Sequence, residues 1–170
     1  MSVDYYNVNK KEFEMKKILV TMMMVLASSA FAASTGTLFL SGTVAAVNDL
    51  EITPNSSATS LDIVSGEINK LVATVKETSN SLTGYRIMMR SANSSKLMNT
   101  LNNSKNTDYT ISYDGSSYFV LSNSDQVVKN VSALVGLTTN SSDIKVNVSP
   151  YGTAPAGTYV DTVTISIVAN

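Results

Sequence analysis

Apolar and polar residues alternate along this chain in short runs, and clusters of Ser, Thr, Asn, Asp and Gly separate one run from the next. Residues 36–44, GTLFLSGTV, set Leu38, Leu40, Gly42 and Val44 against Thr37, Phe39, Ser41 and Thr43, the period of two that marks a strand. Further strands are predicted over 49–53, closed by Pro54, over the brief run 61–64, and over 68–77. In the last of these Leu71, Ala73 and Val75 share a face and Val72 breaks the alternation. The turn NSLTG then leads to 85–90, the expected hairpin partner of 68–77, with Tyr85, Ile87 and Met89 inward and Arg86 and Arg90 outward.

Residues 91–108 read as a long polar connection in which Leu97, Met98 and Leu101 form one helical turn or a loop anchor. Beyond it, 108–113 and 117–121 flank Asp114-Gly115-Ser116 as a hairpin, with Tyr109, Ile111 and Tyr113 on one face. Residues 122–143 fit a strand or a short helix equally well. A strand over 144–149, a turn over 150–157 and a closing strand over 158–169, TYVDTVTISIVA, complete the chain. The fold class these runs predict is all-β, a single sandwich with no internal repeat.

Before this domain, residues 15–32 combine Lys16-Lys17, an apolar run and Ala30-Phe31-Ala32, the form of a cleaved secretion signal. Residues 1–14 precede Met15 as an over-called N-terminus. The expected division is then an N-terminal strand segment over 33–47 and a sandwich over 48–170. Four of the twelve basic and three of the thirteen acidic residues fall in the first 32 positions, leaving eight and ten. That balance offers no basic surface for nucleic acid.

The chain has no His and no Cys, so Ser-His acyl transfer, Cys nucleophiles and Cys metal sites are excluded. The remaining carboxylates, among them Asp62, Glu77, Asp108, Asp114, Asp125 and Asp161, are read as turn residues rather than a hydrolytic pair. The Asn and Asp oxygens of the polar loops lack the spacing of a calcium loop. Tyr109, Tyr113 and Tyr118 are read as the edge of the core before a contact surface. No catalytic residue, cofactor or metal is expected.

An open sheet edge is a template for another strand. GTLFLSGTV is free of Pro and charge, and two readings stand side by side: the first strand of its own sandwich, or a strand donated to another chain. On GTLFLSGTVAAV at 36–47, ETSNSLTGYRIMMRSANSSKL at 77–97, YTISYDG at 109–115 and PAGTYVDTVTISIVAN at 155–170, the chain resembles bacterial chaperone-usher pilins and the spore-coat-U-like fimbrial proteins.

That resemblance implies an immunoglobulin-like sandwich lacking its last strand and completed by donor-strand exchange. It implies Leu38, Leu40, Gly42 and Val44 as donor residues, and Tyr159, Val163, Ile165 and Ile167 along one side of the acceptor groove. Other pilin subunits, a periplasmic chaperone, an outer-membrane usher and a host or surface receptor are the implied partners. The implied destination is the cell surface, reached through the periplasm. The disulfide common in these pilins cannot form, and the chain ends Val168-Ala169-Asn170 without their penultimate aromatic residue. A self-contained secreted binding module is the alternative function.

Overall fold

The computed structural model describes residues 34–170, so the expected leader lies outside the described residues. The chain divides into one unit ending at Thr43 and another spanning Val44–Asn170. Of the first unit, residues 34–43 enter no strand, and Leu38, Phe39 and Leu40 leave their side chains exposed.

The second unit is a β-sandwich of β1 (Asn48–Pro54), β2 (Glu67–Ser79), β3 (Tyr85–Ser91), β4 (Lys96–Asn99), β5 (Asn102–Tyr113), β6 (Gln126–Val131), β7 (Thr138–Val148), β8 (Tyr159–Val160) and β9 (Val163–Ala169). One sheet runs β1-β2-β7-β5-β4-β8, and the other runs β6-β3-β9. Every pairing is antiparallel. The order β1-β2-β7-β5 matches strands A-B-E-D of an immunoglobulin domain, and β3-β9 matches C-F. Beside β3, where a variable-type domain places C′, sits β6, which enters later in the chain. Where strand G would lie, along the outer edge of β9, no described strand pairs.

The core follows the alternation. Val75 on β2, Tyr85, Ile87 and Met89 on β3, and Ile111 and Tyr113 on β5 are buried, as are Ile144, Val146 and Val148 on β7. Each occupies every second position, the spacing that puts side chains on one face of a strand.

Several predicted elements differ, each for a physical reason. β2 and β3 are not a hairpin: β3 pairs with β6 and β9 and lies across the core from β2. Tyr85 donates its hydroxyl to Glu77 over that gap, at 2.6 Å. Residues 91–108 form no helical turn but the β4–β5 hairpin, with Leu97 and Thr107 turned inward. The polar residues that disguised it are satisfied inside: Asn99 accepts from the Leu101 amide at 2.9 Å and donates to the Ala156 carbonyl at 3.3 Å.

Asp114 and Gly115 turn the chain with φ of 51° and 74°, as a two-residue hairpin turn requires. The returning segment nonetheless keeps only the bridge Phe119 to Ile111, because β4 occupies the first part of that β5 edge. The ambiguous stretch resolves into β6 and the start of β7. Run 61–64 is a turn closed by Asp62, which accepts from the Val64 and Ser65 amides at 3.0 and 2.9 Å. Val72 departs from the alternation because β2 carries a register shift between Leu71 and Ala73.

The link from β2 to β3 depends on Gly84. Its φ is +82°, and a Cβ there would stand 1.8 Å from the Val131 carbonyl oxygen. Gly84→Ala is expected to cost about 2 kcal/mol or more, read as a lower urea midpoint at unchanged slope.

Candidate strand-acceptor cleft

Three residues that face inward from β9 are Val163, Ile165 and Ile167, set in register against Ser91, Met89 and Ile87 of β3. On β3, Ile87 and Met89 are wholly buried, whereas their β9 partners stay half-buried although they point the same way. The difference is a missing neighbour: β3 is flanked on both sides and β9 on one. Across from β9, Ile52 on β1 is likewise 42% exposed.

Between these edges opens a cleft of about 240 Å³, with Ile52 and Pro54 of β1, Val72 and Ala73 of β2, and Val163 and Ile165 of β9 along its sides. Ile111, Ile144 and Val146 are among its deeper residues, and Asp161 contributes a carboxylate.

The cleft lies toward one end of the sandwich. Its residues Pro54, Ala73 and Ile144 form a row across three strands, and Val163 pairs with Ser91 at the end of β3. The other end, called here the exit pole, gathers Asn48, Ser79 and Thr138 in one row and Val131, Tyr85 and Ala169 in another. The N-terminal segment joins the sandwich at this exit pole. Asn80 holds it there, accepting from the Val47 amide at 2.8 Å and donating to the Ala45 carbonyl at 2.8 Å.

Of the sequence-predicted acceptor residues, Val163, Ile165 and Ile167 share the inward face of β9, and the first two line the cleft. Tyr159 stands apart. The closing strand expected over 158–169 is split, and Tyr159 lies on β8 in the other sheet, opposite Asn99. The break is made by Asp161, whose carboxylate accepts from Ser91 Oγ at 2.5 Å, the Tyr109 hydroxyl at 2.6 Å, the Asn93 amide at 3.0 Å and the Thr162 amide at 2.7 Å. Four donors at one carboxylate fix the chain in a corner that no straight strand would supply. Burial, and next the Asp161 carboxylate, push the Tyr109 phenol well above its ordinary pKa. The predicted donor residues Leu38, Leu40 and Val44 are exposed, and Gly42 has nothing within 4 Å of a notional Cβ.

Sequence reasoning missed a second feature, the wholly buried Glu77. Its carboxylate accepts from the hydroxyls of Tyr113 at 2.5 Å, Tyr85 at 2.6 Å and Ser142 at 2.7 Å, and pairs with the Lys129 ammonium at 3.1 Å. Lys129 also meets Asp114 at 2.9 Å, and Asn140 donates to the Tyr85 oxygen at 2.8 Å. The signal was present: Glu77 continues the inward series Ala73, Val75, and two inward tyrosines each need a partner for a buried hydroxyl.

Burial alone would raise the Glu77 pKa, but its four donors outweigh it and hold the group below the ordinary 4.5. Burial would lower that of Lys129, yet Asp114 and Glu77 hold it above 10.5. Burial and Glu77 together raise both Tyr85 and Tyr113.

No protein-family model and no curated protein matches the chain. Among solved structures, it is similar to the CssB subunit of the enterotoxigenic Escherichia coli colonization factor CS6, complemented with a donor strand from CssA, at 19% identity and a TM-score of 0.40 over 71% of this chain and 83% of that one. It is also similar to the CooA pilin subunit of enterotoxigenic Escherichia coli, at 11% identity and a TM-score of 0.43 over 70% and 86% of the two chains. A third similar structure is the minor tip subunit HdaB of the E. coli Hda pilus, at 14% identity and a TM-score of 0.38 over 70% and 79%.

The Glu77 cluster has a pH consequence. Because the folded pKa of Glu77 is depressed, its contribution is complete above about pH 4.5 and is lost as pH falls through the lower folded value. The contribution of Lys129, with its pKa raised, is complete below 10.5 and fades as pH rises through the higher folded value. Glu77→Gln is expected to cost about 3 kcal/mol near neutrality and to flatten the acid limb of stability. Urea midpoints measured for both chains from about pH 3 to about pH 8 check it.

Proposed function

We propose that this chain is a structural subunit of a surface fibre, pilus or coat, assembled when residues 36–44 of one copy fill the cleft of the next. One observation carries this reading: β9 presents a free edge and half-buried apolar residues to a cleft at one end of the sandwich, while the N-terminal segment leaves from the other end. Donor and acceptor at opposite ends make a head-to-tail contact between unlike surfaces, and such contacts build open filaments when the rotation does not close.

Lengths and direction agree with the reading. Nine extended residues span about 30 Å, and the seven of β9 about 23 Å. A donor entering from the cleft end with Val44 outermost runs antiparallel to β9, the sense in which strand G follows strand F. Leu38, Leu40 and Val44 then fall on the face that looks into the cleft, and Gly42 places no side chain between them.

Within this reading, residues 15–32 direct export through the periplasm to the surface and are removed. The open β9 edge requires a temporary strand on the way, which is the role of a periplasmic chaperone working with an outer-membrane usher. The stretches at 77–97, 109–115 and 155–170 favour a relative of the chaperone-usher pilins or the spore-coat-U-like proteins. No step in this reading calls for catalysis.

Leu40→Asp in the exported full chain is expected to reduce polymer at least about tenfold, judged by size-exclusion chromatography, since burying one Leu contributes about 1.5–3 kcal/mol. A synthetic GTLFLSGTV peptide added to that variant should raise its unfolding temperature. A wild-type chain that stays a stable monomer and ignores the peptide would instead be a self-contained binding module.

A further inference from the structure

The exit pole carries a surface that the donor strand and the cleft do not use. Residues 80–84 and 132–137 form adjoining loops there: a Cβ on Gly84 would stand 1.8 Å from the Val131 oxygen and 2.8 Å from the Ser132 carbonyl carbon. From these loops Leu82, Val135 and Leu137 project into solvent, with Val135 fully exposed. A single exposed leucine is ordinary, but three large apolar side chains grouped on two touching loops are not.

Neither loop contains a charged residue, and the entering segment 44–48, VAAVN, has none. By contrast, Lys76–Glu51 pairs midway along β1 and β2, and the opposite, cleft end bears the ion pairs Arg90–Asp125, beside Ser91, and Lys96–Asp108. Uncharged loop side chains beside exposed apolar groups are the composition of an interface centre.

The tether identifies the occupant. Asn80 fixes Ala45 and Val47 to this pole, and Val44, the last donor residue, is the next residue along the chain from Ala45. One peptide unit spans about 3.8 Å. A copy whose cleft takes residues 36–44 therefore has its cleft end held directly against the loops that carry Leu82, Val135 and Leu137.

We propose that this apolar pole is a second subunit interface, docking onto the cleft end of the next copy alongside the donor strand. The inference rests on the fibre reading above and adds to it a contact between domains. Two attachments then join successive subunits, a strand within the cleft and a cap over its mouth. The cap restricts rotation about the short tether and keeps water from the end of the inserted strand.

The test uses the exported full chain, wild type against a variant carrying Leu82→Ser, Val135→Ser and Leu137→Ser together. All three side chains are exposed, so the variant is expected to fold. Placed in a Leu40→Asp background, it should bind GTLFLSGTV peptide as tightly as its parent. With Leu40 intact, filaments of the triple variant should dissociate about tenfold faster than those of the wild type on dilution.

Because the chain has no cysteine, Val135→Cys can also carry a single polarity-sensitive fluorophore. Its emission should shift to the blue on polymerisation and stay unchanged when peptide alone fills the cleft. Equal dissociation rates with an unshifted fluorophore would overturn the docking surface while leaving strand donation intact. Failure of the peptide to bind even the parent would remove the fibre reading, and this interface with it.

Discussion

A carboxylate buried between two sheets forces them apart unless its oxygens are met by donors, and Glu77 meets that condition with groups from four other strands. Tyr85 and Lys129 come from the three-strand sheet, while Tyr113 and Ser142 come from the six-strand sheet that also carries Glu77. Charged and polar donors at one buried site hold a fixed spacing and register that apolar contacts alone, being non-directional, would not impose. The sequence contains no cysteine, so no covalent tie shares this task.

A second carboxylate works at the other end. Asp161 joins Ser91, at the end of β3, to Tyr109 on the facing sheet, and it holds the corner at which β8 gives way to β9. With the sheets tied by Glu77 on one side and Asp161 on the other, β9 keeps its place although only β3 pairs with it. The apolar space beside β9 can stay open because the polar ties, rather than complete packing, set the distance between the sheets.

Alternation made the main strands of the sandwich legible, although 36–44, which alternates as regularly, enters no strand among the described residues. Tyr85, Ile87 and Met89 on β3, and Tyr109, Ile111 and Tyr113 on β5, are inward as their spacing required. What escaped the pattern were the places where polar residues take inward positions and find partners there. Asn99 and Thr107 hid the β4–β5 hairpin, Glu77 passed for a residue near a turn, and Asp161 split a strand that composition made continuous. Sequence alternation reports which residues prefer burial, but a buried amide or carboxylate depends on donors that are distant in the chain. Pairing between strands was hidden for the same reason: β2 and β3 follow one another, yet facing each other across the core lets Tyr85 reach Glu77. Val163 and Ile165, which line the candidate cleft, are named only through the resemblance, whereas Ile52, Pro54 and Val72 come from strands whose nearness to β9 is a matter of topology.

Polarity along the long axis gives these features their joint meaning on the fibre reading. If the donor segment left from the cleft end, two copies could satisfy each other by a symmetric exchange and assembly would stop at a dimer. Asn80 instead fixes Ala45 and Val47 at the exit pole, so on the fibre reading the donor segment is attached at the end opposite the cleft, and each copy that accepts a strand still offers one. Growth then continues by a repeated heterologous contact. On the same reading, each added strand buries Leu38, Leu40 and Val44 against the half-buried side of β9, so the interaction proposed to complete one subunit's core is the one that lengthens the fibre.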